Sequence, residues 1–165
     1  LALYASAIEA FPDNLDLRYN RALFVVELGD FAWMESELKK ILAEDPDHAD
    51  ALNALGYTLA DRGERLDEAF AYVARALKLK PDNPAVLDSM GWVLYRQGDL
   101  EQAASYLRRA LDLAQDDEIA AHLGEVLWVS GQRADARAVW REALLHTPDS
   151  DKIRAVIERL QADHQ

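Results

Sequence analysis

Cysteine is absent from the 165 residues. Its absence removes disulfides, thiolate metal sites and a cysteine nucleophile, but it leaves the compartment open. Positive charge is scarce: 18 lysines and arginines face 30 aspartates and glutamates, for a net charge of −12. A surface of that sign repels phosphate backbones, which argues against nucleic acid and anionic membrane as partners, and it also serves plain solubility. No apolar run approaches the roughly 18 residues needed to span a bilayer. The opening stretch from Leu1 to Phe11 is short and has no basic start, so it does not read as a signal peptide. The chain also begins without methionine and within a repeat unit, so it reads as an excised fragment from which a targeting signal could have been cut.

Catalytic signatures are missing too. There is no His-Glu-x-x-His, no phosphate-cradling glycine loop and no Gly-x-Ser-x-Gly. His48, His122, His146 and His164 have no mutual ligand spacing. The stretch Asp45-Pro46-Asp47-His48-Ala49-Asp50 is rich in oxygen ligands, and Asp112 to Glu118 is a similar acidic turn. Asp45 to Asp50 lacks the glycine that a calcium loop needs at its sharp turn, and it falls where one repeat meets the next. The expectation is a non-catalytic chain with no metal and no cofactor.

Glycine and proline are few, 7 and 5, but they keep time. Gly29, Gly63, Gly98 and Gly131 step by 34, 35 and 33 residues. Gly56, Gly91 and Gly124 form a second ladder, and Pro12, Pro46, Pro81 and Pro148 a third, with Gln115 where one proline would fall. A fixed period near 34 marks a stack of units, none of which buries its apolar face alone. The units run over residues 15–48, 49–83, 84–116 and 117–148. Residues 1–12 fit the end of a truncated unit. Ile153, Val156, Ile157 and Leu160 give residues 150–163 the i, i+3, i+4, i+7 spacing of an amphipathic helix that caps the stack.

Each unit divides into two helices at its glycine. Gly29-Asp30 and Gly98-Asp99 place a left-handed residue at the end of a first helix and an N-cap at the start of a second. Asn83-Pro84 pairs a cap with proline at the first helical position. Glycine inside a helix costs about 1 kcal/mol relative to alanine, so Gly56, Gly91 and Gly124 at one phase imply close backbone approach. Ala69, Ala103 and Ala136, then Ala76, Ala110 and Ala143, supply small residues on the second helices. Met34 and Ile41 stand where the first unit would otherwise have alanine.

This pattern resembles the tetratricopeptide repeat family over nearly the whole chain. The resemblance implies an all-α fold: a right-handed α-solenoid of helix-turn-helix repeats closed by a C-terminal capping helix. It also implies that the first helices line a concave groove through their second, fifth, ninth and twelfth positions. Carried onto this chain, those positions give Asp16, Tyr19, Leu23 and Val26, then Asp50, Asn53, Tyr57 and Ala60, then Ala85, Asp88, Trp92 and Tyr95, then Glu118, Ala121, Glu125 and Trp128. This set joins aromatics to acids and holds no lysine or arginine. Tyr57, Trp92, Tyr95 and Trp128 are the candidate anchors for a protein or peptide partner, and the acids would favour basic residues on it. The alternative for each ring is packing between neighbouring helices.

Three segments, 55–62, 88–96 and 118–128, further resemble the C-terminal part of proteobacterial tetratricopeptide outer-membrane lipoproteins. That similarity implies a periplasmic adaptor, anchored by an upstream lipid, for a carboxyl-terminal processing protease and its cell-wall substrates. A cytoplasmic scaffold or assembly factor, and a regulatory segment of a larger enzyme, are the alternatives. Self-association through an exposed terminal repeat is a further expectation.

Overall fold

The computed structural model describes residues 2–162, and the regular structure among them is all α-helix, joined by short turns. Ten helices follow one another: α1 (Ala2–Ala10), α2 (Leu15–Glu27), α3 (Phe31–Glu44), α4 (Ala49–Arg62), α5 (Leu66–Leu79), α6 (Pro84–Gln97), α7 (Leu100–Leu113), α8 (Asp117–Val129), α9 (Arg133–His146) and α10 (Asp151–Ala162). Four antiparallel hairpins, α2–α3, α4–α5, α6–α7 and α8–α9, stack in order, and α10 packs on α8. Residue 1 and residues 163–165, His164 among them, lie outside the described residues, so the expected capping helix is seen from Asp151 to Ala162.

Local chemistry sets the hairpins. Asp30 Oδ1 accepts from the Trp33 amide at 3.0 Å, Asp99 Oδ1 from Gln102 at 3.1 Å and Asn83 Oδ1 from Val86 at 3.2 Å. Each satisfies an amide that the first helical turn leaves without a partner. The four turn glycines all adopt positive φ, between 70° and 92°. The second hairpin carries one extra residue, and Arg65 absorbs it by taking a left-handed φ of 46°. Its guanidinium then reaches back to Glu35 Oε1 at 2.8 Å.

The mid-helix glycines are contact points. A Cβ on Gly56 would stand 2.4 Å from Val73 Cγ2, and one on Gly91 would stand 2.5 Å from Leu107 Cγ. One on Gly124 would fall 1.9 Å from Trp140 Nε1. In the first hairpin Ala22, Met34, Leu38 and Ile41 are completely buried together. Side-chain bulk fills there the interval that backbone approach closes elsewhere. The largest apolar cluster runs from Leu59 in α4 to Leu160 in α10, so the core grows along the stack rather than around one centre.

Candidate functional site

The first helices of the hairpins, α2, α4, α6 and α8, line one wall, and α10 continues it. At the N-terminal end Asp16 is exposed, with Oδ1 3.5 Å from His48 Nε2. Tyr19 lies against the His48 ring, with centroids 5.6 Å apart. Burial, with the nearby Asp50 charge, pushes its hydroxyl up to about 12. Leu23 is half-buried in the first hairpin's core. His48 also caps α4, its Nδ1 accepting from the Ala51 amide at 3.2 Å.

Further along, acids and bases of successive repeats meet. Lys80 Nζ donates to both Asp50 oxygens, at 2.7 and 2.8 Å. Asp88 Oδ1 and His122 Nδ1 lie 2.8 Å apart, both buried. Glu118 takes a proton donor from Lys152 and another from the Tyr57 hydroxyl at 3.0 Å. Glu125, 3% exposed, accepts from Arg159 Nη2 at 2.6 Å and from the Tyr95 hydroxyl at 3.0 Å. Burial and the facing carboxylates raise both phenols, Tyr95 to about 12 and Tyr57 further.

The aromatics divide into two groups. Trp92 stacks on His122 at 4.1 Å and touches Tyr95, with centroids 5.0 Å apart. Trp128 packs against Trp140, and the Arg133 and Arg137 guanidiniums lie over its ring at 5.0 and 5.4 Å. Each of these two tryptophans is only 6% exposed; Trp92 joins its repeat to the next through His122, and Trp128 joins the two helices of its own hairpin. Tyr57 and Tyr95 remain half-buried on the wall.

Electrostatics at the buried pair follow from its seclusion. Burial pushes the Asp88 carboxyl up. Burial alone would lower His122, but its bond to Asp88 and the acids around it outweigh that and hold the imidazole above its ordinary range. At Glu118 burial is opposed by Lys152, whose bond and charge, together with the Tyr57 bond, hold the carboxyl below the usual carboxylate range.

Two features depart from the sequence reading. The wall does carry bases, because Lys152 and Arg159 sit at the second and ninth positions of a fifth first helix, α10. The acids therefore present less uncompensated charge than the residue set implied. His122, Lys152 and Arg159 were also missed as partners, although a signal for them existed. Asp88–His122, Glu118–Lys152 and Glu125–Arg159 are each 34 residues apart, one period along the stack.

Between α4, α6 and α8 opens a cleft of about 460 Å³, lined by Asn53, Tyr57, Asn83, Pro84, Ala85, Asp88, Ser89, Ala114, Asp116, Glu118 and Ile119. Asn53 Oδ1 is buried there and accepts no hydrogen bond. An orphaned amide costs free energy, and a ligand could recover it. The acids of 45–50 are otherwise engaged: Asp45 Oδ1 accepts from the Asp47 amide, Asp47 faces Arg75 and Asp50 faces Lys80.

Residues 47–116 and 94–160 each match a model of the tetratricopeptide repeat. A curated relative, TPR repeat-containing protein PA4667 of Pseudomonas aeruginosa, is 53% identical over 118 residues, covering 72% of this chain and 20% of that protein. The chain spans about a fifth of the length of the curated relatives it matches. Among solved structures, the thermophilic TPR protein TTC0263 of Thermus thermophilus superposes with a TM-score of 0.84 at 21% identity, over 98% of this chain and 88% of that one. YrrB, described as a TPR protein with an unusual peptide-binding site, superposes with a TM-score of 0.66 at 19% identity, over 98% and 93%. At these identities the superpositions establish the fold alone.

Proposed function

The chain belongs to the tetratricopeptide repeat family, whose repeats bind protein or peptide partners, and on that premise we propose that it is a non-catalytic docking scaffold whose cleft between α4, α6 and α8 holds an extended polypeptide. The observation that carries this reading is the buried, unpartnered Asn53 Oδ1 in a half-open cleft. A backbone amide laid along the wall would donate to it. Tyr57, Pro84 and Ile119 would supply apolar contact, and Asn83 and Ser89 would supply polar ends. The peptide-binding site named for YrrB is consistent with such use of the fold.

For the parent protein we infer a periplasmic adaptor at the outer membrane, held by an upstream lipid anchor, that presents a carboxyl-terminal processing protease or cell-wall enzymes to one another. Support comes from the resemblance of segments 55–62, 88–96 and 118–128 to envelope lipoproteins; the Pseudomonas aeruginosa relative supports the repeat scaffold itself. The test is affinity capture from a proteobacterial envelope extract, with wild type compared to Asn53→Ala/Tyr57→Ala by mass spectrometry. A protease or wall hydrolase enriched by wild type and lost with the variant is the expected result. Equal capture by both would remove the cleft from the interface. Capture of cytoplasmic proteins alone, from a whole-cell extract, would favour a cytoplasmic scaffold. Trp92 and Trp128 are poor test positions, because their rings are structural.

A further inference from the structure

A second recessed surface lies on the outer side of the last hairpin. On α9, Arg137, Trp140, Arg141, Leu144 and Leu145 follow i, i+3, i+4, i+7 and i+8, which places them on one stripe. With Ile157 and Gln161 of α10 they line a cleft of about 350 Å³. It opens because α10 rests chiefly on α8, whereas α5 packs against α6 and α7 against α8. Leu145 is 70% exposed at its rim.

The charges around this cleft are unusual for the molecule. Acids outnumber bases by 30 to 18, and most arginines reach a carboxylate: Arg18 meets Glu37 and Glu44, Arg65 meets Glu35, Arg75 meets Asp47, Arg109 meets Asp82 and Arg159 meets Glu125. Arg137 and Arg141, both exposed, reach none among the described residues. Arg137 is instead steadied over the Trp128 ring at 5.4 Å. Two guanidiniums without carboxylates thus flank an apolar recess.

Elsewhere in the stack a further helix walls the corresponding recess and narrows it to a cleft of about 270 Å³. The cleft at Phe70, Ala74 and Leu77 of α5, beside Met90 and Leu94 of α6, is walled by Gln102 and Tyr106 of α7. No described element takes that place beside α9 and α10. We propose that this stripe docks an amphipathic helix of a partner protein, one that inserts a large apolar side chain between Trp140, Leu144 and Ile157 and sets two carboxylates on Arg137 and Arg141. The two arginines are one helical turn apart, about 6 Å along the axis, the spacing of carboxylates at i and i+4 on a helix laid alongside. Guanidinium takes carboxylate in a forked, two-bond geometry, which would fix the register of the bound helix. This surface is separate from the inner-wall cleft and stands or falls independently of it.

The test is selection of a displayed helical peptide library against the 165-residue chain, with selected peptides titrated by fluorescence anisotropy. Enrichment of sequences with a Glu or Asp pair four residues apart beside Leu, Ile or Phe is expected. Arg137→Glu/Arg141→Glu should weaken such a peptide about tenfold or more, and a Glu→Arg peptide should recover binding to that variant. Leu145→Glu, at a position too exposed to disturb folding, should weaken binding as well. Circular dichroism of both variants should match wild type. Absence of the acidic pair from the selected peptides would overturn the proposal, and so would binding unmoved by the arginine reversals but lost with Asn53→Ala/Tyr57→Ala. Sedimentation velocity of the chain alone adds one more outcome. A concentration-dependent dimer abolished by the arginine reversals would make a second copy the occupant and overturn the assignment to a partner.

Discussion

The first and last hairpins solve one packing problem by different means. Between α8 and α9 a glycine removes its side chain and an indole takes the space: Trp140, 3% exposed, lies over Gly124. Between α2 and α3 the small residue is Ala22, and Met34, Leu38 and Ile41 fill the interval. An ion cluster seals its edge, with Glu37 held by Arg18 at 2.7 Å, Lys40 at 3.4 Å and Arg21 at 3.5 Å. One joint depends on shape, the other on bulk and charge. In a stack whose stability sums over units and their interfaces, each joint can be broken separately.

The largest effect belongs to the shape-dependent joint. Gly124→Val places a Cβ 1.9 Å from the Trp140 indole, which is 3% exposed and would have to be displaced from its seat over the glycine. We expect a loss of about 3 kcal/mol, at the top of the range for overpacked cores, read from urea unfolding followed by tryptophan fluorescence. Ala22→Gly in the first hairpin should cost only about 1 kcal/mol, the propensity difference. Equal losses at the two sites would mean that the glycine contact has no special role.

Glu37→Ala breaks the charge-dependent joint. The carboxylate is 5% exposed as a residue, and its removal strands Arg21 and leaves Arg18 with Glu44 alone. The expected cost is about 2 kcal/mol, below the figure for a fully buried pair because the arginines keep some water. The pH dependence follows the same group. Burial would raise the Glu37 carboxyl, but the Arg18 bond and charge hold it below the usual range. A lowered folded pKa means stability that is present above the unfolded value, near 4.3, and lost as pH falls through the folded one. Wild type should therefore lose stability in that acid window and the variant should lose less. Parallel curves would discard the role of Glu37.

Sequence disclosed the hairpins almost to their boundaries, because caps, turn glycines and helical periodicity are local devices. Gly124 was legible as a close approach, but the ring over it was not, since Trp140 belongs to a separate helix. The inner wall was legible by position and not by exposure. Whether an aromatic at such a position faces outward depends on what the next repeat sets beside it, and His122 turns Trp92 into a joint. The bases of α10 were hidden for a simpler reason: the helix was read as a cap and not as a fifth first helix.

The buried tie along that wall comes next in size. Asp88→Asn leaves His122 secluded without its counter-charge, and we expect a loss of roughly 1–2 kcal/mol at neutral pH. Because the imidazole is held above its ordinary range, its contribution is full below about pH 6.5 and fades as pH rises through the folded value. Proton NMR of the imidazole should show that value fall in the variant. An unmoved titration would mean that Asp88 is not the group holding the proton on His122.

The smallest effect should come from the exposed tie. Lys80 and Asp50 make two short bonds, at 2.7 and 2.8 Å, yet their side chains are 40% and 46% exposed. Water already solvates both charges well, and two long side chains lose freedom to hold one geometry. Such pairs contribute a few tenths of a kcal/mol, and salt screens them further. Asp50→Ala should therefore shift the urea midpoint barely beyond error, while Asp88→Asn at a similar bond length shifts it clearly. The two carboxylates differ little in hydrogen-bond distance and greatly in burial. Were Asp50→Ala as costly as Asp88→Asn, bond length and not seclusion from water would set the strength with which one repeat holds the next.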